Sequence, residues 1–120
     1  MAEPNPEELV LLGIKSYEKQ DFSKARKYFE RACGLNNGGG CNGLGVLYKD
    51  GQGVEKDLIK ATYLYPKACE LKEGDGCGAL GGLYYNGDGV KQDSKKAAAL
   101  FEKACKLGYK KACEMLKLLR

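Results

Sequence analysis

One tripeptide sets the frame for this chain. Arg31-Ala32-Cys33 returns as Lys67-Ala68-Cys69 and again as Lys103-Ala104-Cys105, and each step is 36 residues. Upstream, Lys24-Ala25 returns as Lys60-Ala61 and Lys96-Ala97 with the same step. Leu44-Gly45 returns as Leu80-Gly81, but its first copy, Leu12-Gly13, lies only 32 residues before Leu44. A tandem unit of this size cannot bury its apolar face alone, so it must stack on its neighbours. The chain is a repeat array in which each unit is one supersecondary element.

The shorter first copy loses its residues between Gly13 and Lys24. The later copies carry Gly51-Gln52-Gly53-Val54 and Gly87-Asp88-Gly89-Val90 in that region. Paired glycines predict a loop that needs positive φ. An aspartate follows each time (Asp21, Asp57, Asp93), then a stretch of helical periodicity. Aspartate is a strong N-cap, because its carboxylate accepts a bond from a free helix N–H. Each unit therefore reads as helix A, loop, capping Asp, helix B.

Helix B carries Ala25, Phe29 and Ala32, matched by Ala61, Tyr65 and Ala68 and by Ala97, Phe101 and Ala104. Steps of four and three put each trio on one face. This is core packing, with alanine allowing close approach and the aromatic filling the gap. In helix A, Leu44, Gly45 and Tyr48 match Leu80, Gly81 and Tyr84. The end of the chain is half a unit: Cys113 aligns with Cys41 and Cys77, Leu116 with Leu44 and Leu80, and Lys117 replaces the glycine. That suits a capping helix, which a solenoid needs over its last apolar face. The expected fold is all-α: an α/α superhelical solenoid of three helix pairs plus a C-terminal capping helix, cross-linked by disulfides. It forms a single repeat domain over residues 1–120, with repeats at about 5–38, 39–74 and 75–108 and the cap helix at 109–120.

Composition narrows the chemistry. There is no histidine, which removes the commonest metal ligand and general base together, and no Cys-x-x-Cys pair. No cofactor or metal is expected. The net charge is only +4 and the charges are interspersed, so a nucleic-acid surface is not expected. No apolar run is long enough to cross a bilayer, and no membrane partner is expected. The start, Met1-Ala2-Glu3-Pro4, lacks a secretory layout. Either the chain is intracellular or a leader has been removed.

The six cysteines fall at 33, 41, 69, 77, 105 and 113, with intervals alternating 8 and 28. Pairing across 28 joins Cys41 to Cys69 and Cys77 to Cys105, and strands Cys33 and Cys113. Pairing across 8 gives Cys33–Cys41, Cys69–Cys77 and Cys105–Cys113 and strands none, so it is favoured. A disulfide framework implies an oxidising compartment, secreted or periplasmic. Reduced, buried thiols in the cytosol are the alternative.

A 36-residue unit with Leu-Gly-x-Leu-Tyr, Gly-x-Gly-Val, a capping Asp and Lys-Ala-Cys resembles the Sel-one-like repeat, a branch of the tetratricopeptide superfamily. The paired cysteines are similar to those of the Helicobacter cysteine-rich proteins, and that resemblance implies the same short-spacing disulfides. An engineered or idealised array fits the same regularity. Two residues depart from the pattern. Ser16 stands where the other copies have Tyr48 and Tyr84. Pro66 stands inside the second helix B, where the others have Glu30 and Glu102. An interior proline costs about 3 kcal/mol, so a kink or local break is expected there.

The resemblance also implies penicillin binding or weak β-lactamase activity. One Ser-x-x-Lys string exists, Ser16-Tyr17-Glu18-Lys19, but neither Ser-Asp-Asn nor Lys-Thr-Gly accompanies it. Ser16 is read as packing, and no catalytic residue is assigned. Two Gly-x-Gly-x-x-Gly strings (Gly38, Gly40, Gly43; Gly76, Gly78, Gly81) open helices without a preceding strand, so they are not dinucleotide sites.

Tetratricopeptide relatives present fixed helix A positions on a concave face. Carried over by the Leu-Gly register, the resemblance implies Val10, Ile14 and Tyr17 in the first copy, with Glu7 and Glu18. The second copy offers Asn42, Val46 and Lys49, with Gly39 and Asp50. The third offers Tyr85 and Asn86, with Asp75, Gly78 and Gly82. Asn42 is a side-chain amide able to pair with a peptide backbone through donor and acceptor, and Tyr17 and Tyr85 are aromatic anchors. The leading expectation is a monomeric scaffold that binds a protein or peptide.

Overall fold

Five helix starts in this chain are fixed by short side chains one residue upstream. The computed structural model describes residues 4–119, which form seven α-helices and no strand. The helices are α1 (Pro6–Glu18), α2 (Phe22–Gly34), α3 (Gly38–Asp50), α4 (Leu58–Glu70), α5 (Gly74–Asn86), α6 (Ser94–Lys106) and α7 (Lys110–Leu119). The expected aspartates cap every helix B. Asp21 accepts from the Lys24 N–H at 3.2 Å, Asp57 from Lys60 at 3.0 Å and Asp93 from Lys96 at 3.0 Å. Asn5 and Asn37 cap α1 and α3 in the same way. The helices A of the second and third units end at Gly51 and Gly87, at φ 67° and 73°.

Packing explains why glycine follows leucine in helix A. A methyl group on Gly13 or Gly43 would meet the ring of Phe29 at 2.5 and 2.8 Å; one on Gly45 would meet Tyr65 at 2.7 Å, and one on Gly81 would meet Phe101 at 2.9 Å. The helix B aromatics lie flush on helix A backbone, and the flanking alanines Ala25, Ala32, Ala61, Ala68, Ala97 and Ala104 are fully buried. Lys117 takes that glycine's register position in α7 and is exposed. Stacking of the pairs gives an elongated body of 51 × 28 × 22 Å.

All three short-spacing disulfides are present: Cys33–Cys41, Cys69–Cys77 and Cys105–Cys113. Each ties the end of one helix B to the start of the next helix A. Of the kink or local break expected at Pro66, the break is corrected. No local break occurs, and α4 runs continuously from Leu58 to Glu70 with the proline inside it. Ala61, Tyr65, Ala68 and Cys69 are buried on either side of it, and that packing holds the segment helical where isolated propensity would not.

Candidate functional site

The 36-residue register places equivalent helix A positions of α3, α5 and α7 side by side. Asn42, Gly78 and Glu114 form one row; Val46, Gly82 and Leu118 form the next. All six line a groove of about 580 Å³. Lys49, Asp75, Asn86 and Lys111 also border it, and Tyr65, Leu83, Phe101 and Ala112 reach it from the core. Two of its central positions, Gly78 and Gly82, carry no side chain, but only one of them leaves room. Above Gly78 the space is taken by the Tyr109 ring, but a methyl group on Gly82 would meet nothing within 4 Å.

The electrostatics are mixed. Burial raises the pKa of the Tyr65 phenol, helped by Asp50 and Tyr109; burial and then Asp75 raise that of Tyr109. Both phenols therefore stay protonated. Lys49, Asp75, Lys111 and Glu114 form no salt bridge among the described residues; the two ion pairs, Arg26–Glu30 and Glu102–Lys106, lie elsewhere. The Asn42 Oδ1 is enclosed and has no hydrogen-bond partner among the described residues.

The structure brings Asn42, Val46, Lys49 and Asn86 together on this groove. Ile14 and Tyr17 line a smaller hollow of about 230 Å³ with Phe29 and Gly43, and Val46 borders both. Val10 is half-buried against the core around Phe29. Tyr85 is exposed and lines neither hollow; its carbonyl accepts from Gln92 Nε2 at 2.9 Å. The α7 contribution was missed from sequence, although the same 36-residue step from Asn42 and Val46 reaches Glu114 and Leu118. Tyr109 gave no such signal, because its register partners Asn37 and Glu73 stand at helix N-caps.

Ser16 has a structural environment. It is buried, and its hydroxyl donates to the Leu12 carbonyl at 2.9 Å. Among the described residues no group of His, Cys, Asp or Glu is arranged to hold a metal.

The Sel1 repeat pattern matches residues 10–37, 39–73 and 74–109. The chain belongs to the Sel1 repeat family. A solved structure of Helicobacter pylori cysteine-rich protein B is 37% identical, with a TM-score of 0.74, over 92% of this chain and 94% of that one. A Sel1 repeat protein from Oxalobacter formigenes gives a TM-score of 0.86 at 27% identity, over 95% of this chain and 48% of that one. HcpC of Helicobacter pylori, provisionally named a beta-lactamase, is 62% identical over 58 residues, which are 48% of this chain and 20% of HcpC. Beta-lactamase HcpA of the same species is 57% identical over 58 residues, 48% of this chain and 23% of HcpA. The match thus spans about a fifth of these curated relatives.

Proposed function

We propose that this Sel1 repeat protein is a peptide- or protein-binding scaffold of an oxidising compartment, secreted or periplasmic, whose partner lies in the α3–α5–α7 groove. One observation carries the reading: a mid-helix glycine, Gly82, opens onto empty space in the groove. Glycine there costs roughly 0.5–1 kcal/mol against alanine and packs against nothing, so its use is the room it leaves. Asn42, in the adjacent row, has a side-chain oxygen with no hydrogen-bond partner among the described residues, which a small rotation of its amide would turn to a ligand. Lys49, Asp75, Lys111 and Glu114 supply both charge signs at the rim for orientation. These departures from strict repetition also argue against an array built for regularity alone. The three disulfides support the compartment.

Selection of a random peptide display library on the oxidised protein tests this. Recovered peptides should bind wild type and lose about tenfold or more in affinity, roughly 1.4 kcal/mol, to Asn42→Ala and to Gly82→Leu. Gly82→Leu fills the hollow with a good helix former, so the fold should survive. Peptides indifferent to both substitutions would reject the groove. Nitrocefin is the companion probe: hydrolysis that disappears in Ser16→Ala would move the protein to the β-lactamase class suggested by its relatives' names.

A further inference from the structure

The face opposite the groove, made by α2, α4 and α6, carries a different pattern. On α2, Lys24, Arg26, Lys27 and Arg31 face a single carboxylate, Glu30; on α6, Lys95, Lys96, Lys103 and Lys106 face only Glu102. Both carboxylates are already engaged, Glu30 by Arg26 at 2.9 Å and Glu102 by Lys106 at 3.3 Å. Between these basic helices lies α4, whose outer face carries an apolar pair in its first half and one exposed carboxylate, Glu70, at its end. Ile59 is 61% exposed and Tyr63 is 75% exposed. They are four residues apart, so they share one face. The same register positions hold Ser23 and Lys27 on α2, and Lys95 and Ala99 on α6. The core does not need these two side chains, and the repeat does not supply them.

The first unit adds a second departure. Lys60 lies over the Tyr48 ring at 4.8 Å and Lys96 over the Tyr84 ring at 5.1 Å. Where those tyrosines stand, the first unit has Ser16, which is buried and too short to reach. Lys24 is thereby left without a ring, and it borders a hollow of about 550 Å³ with Lys27, Arg31, Ser23 and Tyr28. Asp21 also borders it, but its carboxylate is engaged as the α2 cap. The hollow has the size and charge for a phosphate-bearing group.

We infer that this outer face docks on an anionic lipid surface, with Ile59 and Tyr63 entering the headgroup region and the cations of α2 and α6 meeting lipid phosphates and carboxylates on either side. The charge complementarity commits the occupant: basic side chains flanking an exposed aliphatic–aromatic pair match an interface that is anionic outside and apolar just beneath. A solenoid curves away from its outer face, so the middle helix, which carries the apolar pair, leads the contact. This is adsorption and not crossing; no helix of the described residues is long and apolar enough to cross a membrane. The concave groove stays open to its own partner.

Vesicle co-sedimentation of the oxidised full chain tests the inference. It should bind phosphatidylcholine vesicles containing about one third phosphatidylserine and leave pure phosphatidylcholine unbound. Raising salt from about 0.1 M to about 1 M, which shortens the Debye length from about 10 Å to about 3 Å, should release it. Lys27→Glu with Arg31→Glu should weaken binding about tenfold or more. Ile59→Ser with Tyr63→Ser should do the same at unchanged charge. All four positions are exposed, and circular dichroism checks that each variant stays helical. Absence of binding to the anionic vesicles overturns the inference, as does binding that ignores either pair of substitutions. Capture by heparin without vesicle binding also overturns it, because a polyanion needs no apolar pair.

Discussion

The Tyr109 ring lies directly on the backbone of Gly78: a methyl group there would come within 2.5 Å of its Cε2 atom. One helical turn along the same groove wall, Gly82 has nothing within 4 Å. Two glycines of one helix therefore have opposite reasons to exist. Gly78→Ala should destabilise the fold by roughly 1–3 kcal/mol through overpacking. Gly82→Ala should stabilise it by about 0.5–1 kcal/mol, the ordinary helix gain. Thermal melts of the two oxidised variants check the contrast, and loss of stability in both would mean that Gly82 is structural.

The same register position shows how much cap chemistry matters. Asn37 accepts the Gly40 N–H at 3.0 Å, but Glu73, one unit later, makes no side-chain cap bond. Its carboxyl pKa is raised, first by burial and then by Asp75. The folded state thus holds this proton more tightly than the unfolded state. Stability falls as pH rises from the ordinary carboxylate value through the raised one, and the penalty is absent below that window. Glu73→Asn should therefore stabilise the protein at neutral pH through both the cap and the lost charge. Below the carboxylate range only the cap contribution, about 1 kcal/mol, should remain. Melting curves at neutral and acid pH measure the difference.

The periodicity that revealed the fold also explains what it could not reveal. Helix identity and the aspartate caps were legible because each recurs at a fixed step, so three copies vote on one position; the cysteine bridges were legible because the 8-residue pairing strands no cysteine and the family resemblance implies it. The groove was legible only in part. Asn42, Val46, Lys49 and Asn86, which the tetratricopeptide resemblance implied through the Leu-Gly register, line the groove, but Tyr85 does not reach it. It is the register partner of Lys49, yet its side chain stays outside. Tyr109 was hidden for the opposite reason, since it replaces a capping residue and its ring is placed by the bare Gly78 of a different unit. Departures from the repeat are by nature the positions where repetition stops informing.

Pro66 gives a test of how far tertiary packing overrides propensity. It removes the N–H that would bond the Thr62 carbonyl, yet α4 stays continuous. Glu30 and Glu102 stand at the matching positions of α2 and α6. Pro66→Glu should raise stability, but by less than the 3 kcal/mol or so of an unrelaxed interior proline, because the helix has accommodated it. A urea titration of both oxidised proteins reads the gain as a shift in midpoint. No shift would mean that the proline costs nothing in this packed setting.

Reduction tests architecture and compartment together. Each disulfide closes a loop of sequence separation 8 between a helix B and the following helix A. Chain-entropy reasoning gives about 2.5 kcal/mol for each, so the three together rival the 5–15 kcal/mol or so of a whole domain. A stacked array has few long-range contacts to compensate, since each unit leans only on its neighbours. Reductant should therefore lower the melting temperature sharply and broaden the transition, as units lose their coupling. Alanine at Cys69 and Cys77 should reproduce a third or more of that loss, because this bridge joins the central pair to its neighbour and α4 already carries Pro66. A melting curve indifferent to reductant would mean that the six sulfurs act as packed thiols, and the oxidising-compartment reading would then fall with it.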